Sequence, residues 1–187
     1  GSEQLSIVDD GSILAGGYIP FDDEGTPAHT TWLIKNGILS GRLRSIETAL
    51  EMGEQPTGNA RAINYEFEPV VRLTNTFIEP GTLSKNALFE SVDYGYFIDT
   101  IKHGSGMSRF TIAPSISYEI VHGKITNPVE IAVISGHVMD TLHKITGLSD
   151  KKEISTFPVG GCGKFEQTGL PVGLGGPYVR IDSMEIQ

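Results

Sequence analysis

The chain has 187 residues, 39% of them hydrophobic and 20% charged, which suits a folded globular protein with a sizeable core rather than a disordered segment. Its formal net charge is −9, with 14 Lys+Arg and no basic run, so it lacks the clustered positive charge that nucleic-acid binding needs. No apolar run approaches the roughly 18 residues of a membrane span, no charged-then-apolar leader is visible, and the single cysteine rules out an internal disulfide and suits a reducing, cytoplasmic compartment.

Gly1-Ser2 reads as a scar of tag removal, and the missing initiator methionine as the mark of a piece of a longer protein. SIVDDG, Ser6–Gly11, is a short strand running into a turn, and FDDEGTP, Phe21–Pro27, is a polar loop. His29–Ser45 has Asn36-Gly37 between β-rich flanks, and Asn-Gly accepts the positive φ of a type I′ turn, so this segment is a hairpin. IETALEMG, Ile46–Gly53, is one or two helical turns closed by glycine. Glu54–Arg61 is a loop, and Ile63–Gly81 is extended structure interrupted by Pro69. Leu83–Gly95 is an amphipathic helix capped by Ser84, with Ala87, Leu88 and Val92 on its apolar face. Tyr96–Gly106 is a strand entering a glycine loop. Ser108–Ile134 holds several strands with a turn at His122-Gly123. Gly136–Gly147 is a further helix, and glycine-rich loops with short strands complete the chain.

No low-complexity linker divides the sequence. The expectation is a single α+β domain over 1–187, predominantly antiparallel β (barrel- or sandwich-like), with two or three short helices. Two hairpins, LIKNGIL (33–39) and EIVHGKI (119–125), each follow an aromatic residue and suggest two similar β units.

The only thiol, Cys162, stands between Gly161 and Gly163 in VGGCGKFEQTGLPVGLGGPYVRI, residues 159–181. Flanking glycines let a ligand or backbone approach closely. The residues alone leave three roles open: nucleophile, metal ligand, or small buried residue in a glycine loop. His29, His103, His122, His137 and His143 are scattered, and His137 and His143 are six apart, which puts them on different faces of a helix. They do not form a metal pair of the H-E-x-x-H kind, and one cysteine does not complete a zinc site. The glycines of 169–176 match neither a phosphate loop nor a dinucleotide fingerprint. TGNAR (57–61) and RLTNT (72–76) set Asn59, Arg61, Arg72 and Asn75 near strand ends, where they are candidates to bind a carboxylate or peptide backbone. Asp22, Asp23 and Glu24 read as a solvated turn.

The segments VDDG (8–11), DDEGTP (22–27), LIKNGIL, PTGNAR (56–61), RLTNT, SYEIVHGKITNPV (117–129) and GCGKFEQTGLPVGLGGPYVRIDSM (161–184), in that order, resemble the carboxy-terminal region of the TldD/PmbA family, once named modulators of DNA gyrase. The resemblance implies a zinc metallopeptidase acting on small or unfolded peptides. In that family an upstream H-E-x-x-x-H helix, absent from this chain, supplies two ligands and a general base, and the G-C-G-K cysteine supplies the third ligand. Cys162 takes that role by resemblance. TldD-like members carry this cysteine, whereas the PmbA/TldE-like members, which act as non-catalytic partners, usually lack it; Cys162 therefore points to a TldD-like chain. FEQTGLPVG is slightly longer than the family's Gly-Gln-x-x-Pro-Val-Gly, and the ending at Gln187 lacks the family's terminal glycine pair.

The resemblance implies peptide substrates, a homodimer or a TldD/TldE-type heterodimer, and neither nucleic acid nor membrane as partner. Zinc is expected in the full-length protein but not in this piece, which by itself should be inactive, with Cys162 reduced in a free loop. The alternative is a non-catalytic partner or peptide-binding module in which Cys162 is merely structural.

Overall fold

The computed structural model of the chain describes residues 1–157 and 161–187. In chain order its elements are β1 (Ile7–Asp10), β2 (Thr30–Lys35), β3 (Ile38–Leu39), α1 (Ile46–Met52), β4 (Ala60–Arg61), β5 (Val70–Val71), β6 (Asn75–Ile78), α2 (Lys85–Glu90), β7 (Tyr94–Gly106) and β8 (Arg109–Val121). They continue with β9 (Lys124–Pro128), β10 (Ile134–His137), α3 (Val138–His143), β11 (Ile145–Leu148), β12 (Glu153–Lys164), β13 (Gln167–Gly176), β14 (Val179–Ile181) and β15 (Glu185–Ile186). The architecture is α+β and mainly antiparallel β, with short helices, as the sequence leads one to expect.

The chain folds as two compact units. One comprises Ser6–Glu79 and Lys152–Gly176; the other comprises Gly1–Leu5, Pro80–Lys151 and Pro177–Gln187. The hairpins LIKNGIL and EIVHGKI fall one in each.

The first unit is built on a six-stranded sheet in the order β12-β13-β6-β1-β2-β3. Its pairings are antiparallel except β13 on β6, where Gly173, Leu174 and Gly175 lie beside Asn75, Thr76 and Phe77 in parallel register. The β2–β3 turn follows from local chemistry: Asn36 at φ 51° and Gly37 at φ 78° make the type I′ corner. Helix α1 is equally local. Ser45 and Thr48 form a capping box, and Gly53, left-handed at φ 64°, closes the helix. Beside the sheet, β4 and β5 pair antiparallel, with Ala60 opposite Val71 and Arg61 opposite Val70. The apolar core of this unit is Val8, Ala49, Ala60, Phe77, Leu170 and Val172.

The second unit is organised by the long hairpin of β7 and β8, with β10, β15 and β9 completing the sheet. His122 (φ 47°) and Gly123 (φ 77°) form the β8–β9 corner. Phe97 packs edge-on against Phe89 at 5.1 Å, and the Lys85 ammonium lies 3.9 Å from the Tyr178 ring centroid.

Three sequence expectations are corrected here. The helix foreseen over 83–95 ends at Glu90, because from Tyr94 onward the chain pairs with β8; the Ser84 cap is present, its hydroxyl accepting from Ala87 N at 3.1 Å. The helix foreseen over 136–147 is confined to Val138–His143, and Ile145–Leu148 is drawn into β11 against β14. The segment after residue 153, expected as glycine-rich loops with short strands, holds two long paired strands, β12 and β13, which pair antiparallel from Glu153 opposite Gly176 to Lys164 opposite Gln167.

Candidate functional site

Of the motifs singled out in the sequence, VDDG, TGNAR, RLTNT and GCGK meet in the first unit. β1 carries VDDG, and Asp9 within it is 1% exposed. Asp9 Oδ1 accepts from Asn59 Nδ2 at 2.8 Å and from Thr74 Oγ1 at 2.5 Å. Its Oδ2 accepts from the Thr74 backbone N–H at 2.9 Å and from Thr76 Oγ1 at 2.6 Å. Four donors on one buried carboxylate provide the pairing that such a group requires away from water. Asn59 Nδ2 also donates to Arg72 O at 3.1 Å, so TGNAR and RLTNT are tied to each other as well as to β1.

RLTNT leads on to the thiol. Arg72 is 1% exposed. Its Nε donates to Cys162 Sγ at 3.2 Å, and its Nη2 donates to Cys162 O at 2.5 Å and to Gln167 O at 3.2 Å. Among the described residues, Nη1 is buried without a hydrogen-bond partner. Cys162 itself is half-buried on β12, opposite Leu170 of β13. The turn between these strands is Phe165-Glu166, with Phe165 at φ 53°. Gln167, just past the turn, is buried; its Oε1 accepts from Ile63 N at 2.9 Å and its Nε2 donates to Glu68 O at 3.0 Å. Lys164 turns to Val71 O at 3.2 Å rather than to the sulfur.

Cys162 therefore sits in a strand, not in the free loop expected from its glycines. Gly161 has a packing reason of its own: a Cβ there would lie 2.4 Å from Leu170 O, in the facing strand. Gly163 is under no such pressure, its nearest neighbour being Thr168 Cγ2 at 3.7 Å. Val159 and Gly160 of the same stretch lie outside the described residues.

The four residues read from the sequence as substrate-binding are all buried and turned into the fold. Asn59 and Arg72 bond as described. Arg61 donates to Leu73 O at 2.5 Å and Pro171 O at 3.0 Å. Burial pushes the Arg61 guanidinium below its ordinary pKa, with the nearby Asp9 charge working against that shift. Asn75 donates to Asp10 O and Ile13 O, both at 2.9 Å, and accepts from Gly17 N at 2.8 Å. The acidic turn is corrected too. Asp22 is buried, its Oδ1 accepting from Thr26 N at 2.8 Å and its Oδ2 from Ala60 N at 3.0 Å, so it anchors the turn to β4. Glu24 caps the start of α1 through Ile46 N at 2.7 Å.

Asp9, Thr74 and Gln167 were not singled out as site residues in the sequence. The available signal was a Thr/Asn-rich segment, RLTNT, an acidic strand, VDDG, and a lone Gln in KFEQTG.

As a metal centre, this chain fits one ligand position. Cys162 is a half-buried residue with a free thiol, the soft donor type that suits zinc. Among the described residues, no three His, Cys, Asp or Glu side chains are gathered where they could hold an ion. No helix among them is long and apolar enough to cross a membrane.

The family model described as the PmbA/TldA metallopeptidase C-terminal domain matches residues 1–187. The chain belongs to this PmbA/TldD family. It is 42% identical over 184 residues to a metalloprotease of Synechocystis sp., covering 97% of this chain and 39% of that protein. It is 32% identical over 168 residues to a zinc metalloprotease TldD homolog of Saccharolobus solfataricus, covering 89% and 37%. Its fold resembles TldE from Thermococcus kodakarensis, with a TM-score of 0.78 at 22% identity over 99% of this chain and 40% of that one. The chain thus spans about two fifths of the length of these PmbA/TldD relatives.

Proposed function

We propose that this chain is the carboxy-terminal part of a TldD-like zinc metallopeptidase that cleaves small or unfolded peptides, and that Cys162 is its zinc ligand. The observation that carries the reading is the setting of Cys162: a half-buried thiol on a strand, its sulfur met by a guanidinium N–H from Arg72. A ligating sulfur needs a fixed position and an outer group to hold it, and ligand-orienting partners of this kind are the rule in metal centres. The zinc metalloprotease name of the Saccharolobus relative supports the choice of metal.

In the whole protein the remaining ligands and the general base come from an upstream H-E-x-x-x-H segment. When bound, zinc supplies Lewis-acid polarisation of the scissile carbonyl and activates a water. The residues of this chain hold the sulfur and shape the site. Asp9, Asn59 and Thr74 lock the segment between β5 and β6 that carries Arg72. Arg72 and Gln167 fix the hairpin that carries Cys162. Extended peptides bind by backbone pairing with an exposed strand edge, which gives the tolerance of sequence that such substrates need. The protein acts in the cytoplasm as a homodimer or with a TldE-type partner, and this piece alone is inactive.

The test is made on the full-length protein with Cys162→Ala and Cys162→Ser. Loss of bound zinc together with loss of peptide cleavage is expected in the alanine variant. Full zinc content and full cleavage in that variant would overturn the reading and favour a module in which the thiol is only structural.

A further inference from the structure

We propose that Arg72 is the positioning residue of the Cys162 sulfur: its guanidinium bonds that sulfur and clamps both sides of the β12–β13 turn, setting where the ligand sits and how tightly it holds zinc. This rests on the reading of Cys162 as a ligand.

Three observations carry it. First, the three acceptors that the Arg72 guanidinium uses all belong to one hairpin: Cys162 Sγ at 3.2 Å, Cys162 O at 2.5 Å and Gln167 O at 3.2 Å. A planar fork reaches a sulfur and two carbonyls at once; a single ammonium on a flexible stem does not. Second, a buried cation is ordinarily balanced by a carboxylate. Among the described residues, no carboxylate forms a salt bridge with Arg72. Two of its acceptors are neutral carbonyls, so the sulfur is the one acceptor that can take negative charge when it ligates a metal. Third, the neighbouring cations are turned elsewhere. Arg61 is committed to Leu73 O and Pro171 O, and Lys164 to Val71 O. Nη1 of Arg72 has no partner among the described residues, so the fold does not exhaust this guanidinium.

The chemistry suits a ligating thiolate. A sulfur bound to zinc keeps lone pairs and part of its negative charge, so the Nε–H remains satisfied after metal arrives. An N–H bonded to the sulfur fixes the direction of its lone pairs, as outer partners do for other ligands.

The experiment uses the full-length protein, with zinc affinity read by chelator competition and the sulfur-to-metal charge-transfer band read after cobalt substitution. Arg72→Lys and Arg72→Met are expected to bind zinc about 10- to 100-fold more weakly. Both are expected to shift the cobalt band while retaining it, and lysine is not expected to rescue either property. Unchanged affinity and an unchanged band in both variants would overturn the inference. Cys162→Ala separates the two proposals. If it keeps the band, the ligand assignment fails. If it loses the band while the Arg72 variants match wild type, only the role of Arg72 fails. Should the Arg72 variants not fold, the wild type decides. In cadmium-113-substituted protein with labelled arginine, a scalar coupling between the Arg72 Nε–H and the metal through the sulfur is expected, and its absence overturns the proposal.

Discussion

Asn59 Nδ2 donates to Asp9 Oδ1 at 2.8 Å, joining TGNAR to the VDDG strand in the interior of the first unit. Asp9 also takes donors from Thr74 and Thr76, so every bond at this carboxylate points inward. Asp9→Asn keeps size and shape but turns an NH₂ toward groups that are themselves donors. At least one buried donor then loses its acceptor, and a stability loss of about 3 kcal/mol is expected. Urea unfolding measures it. A loss below about 1 kcal/mol would mean that the donors find water or other acceptors in the folded chain.

Asp10, next in the strand, gives a pH signature. Burial pushes its carboxyl up, but the Ser12 and Thr30 hydroxyls, the Ser12 N–H and the His29 charge together hold it below the ordinary value of 3.8. The folded chain therefore binds this proton less readily than the unfolded chain does. The stabilisation is complete above the unfolded value and is lost as pH falls through the folded one. Thr30 Oγ1 donates to Asp10 Oδ2 at 2.5 Å. Thr30→Val should cost about 1.5 kcal/mol at neutral pH. The gap between variant and wild type should narrow below pH 3.8, and a gap that stays constant in acid would contradict this account.

Much of the fold was legible where its causes are local. Asn36-Gly37 and His122-Gly123 make their corners by backbone conformation alone, and Ser45, Thr48 and Gly53 delimit α1 by side-chain caps. The site was legible only as separate words. Cys162 and Arg72 are 90 residues apart, and Asp9 and Thr74 are 65 apart. No local preference brings such pairs together; sheet order does. The same cause hid the strand character of GGCGK. Its glycines argue for a loop until β13 supplies partners, Leu170 for Cys162 and Gln167 for Lys164. Helix signals in 83–95 yielded for the converse reason, because pairing of Tyr94 with Val121 begins a ladder that outweighs another helical turn.

Asn75 shows how tightly β13 is fitted to β6. Its amide spans Asp10 O, Ile13 O and Gly17 N, and a Cβ at Gly173 would come within 2.2 Å of its Oδ1. Gly173→Ala must displace that amide or separate the parallel strands. Overpacking together with lost buried hydrogen bonds predicts destabilisation of about 3 kcal/mol. Differential scanning calorimetry would show a lowered Tm. An unchanged Tm would mean that the amide can rotate away at no cost.

The two glycines beside the thiol separate packing from access. At Gly161 an added Cβ meets Leu170 O at 2.4 Å and Val172 Cγ2 at 3.1 Å, so alanine pushes β12 away from β13 next to Cys162. At Gly163 the nearest atom is 3.7 Å away, an ordinary contact. In the full-length protein, Gly161→Ala should weaken zinc binding at least tenfold, because it moves the sulfur relative to Arg72. It should also lower stability by about 2 kcal/mol. Gly163→Ala should leave stability within about 0.5 kcal/mol, so any effect it has on zinc affinity reports a neighbour outside these residues. Chelator competition and thermal unfolding of both variants decide the matter. If Gly163→Ala alone weakens zinc binding, the space around Cys162 is set by the approach of the metal-bearing segment rather than by the β12–β13 contact.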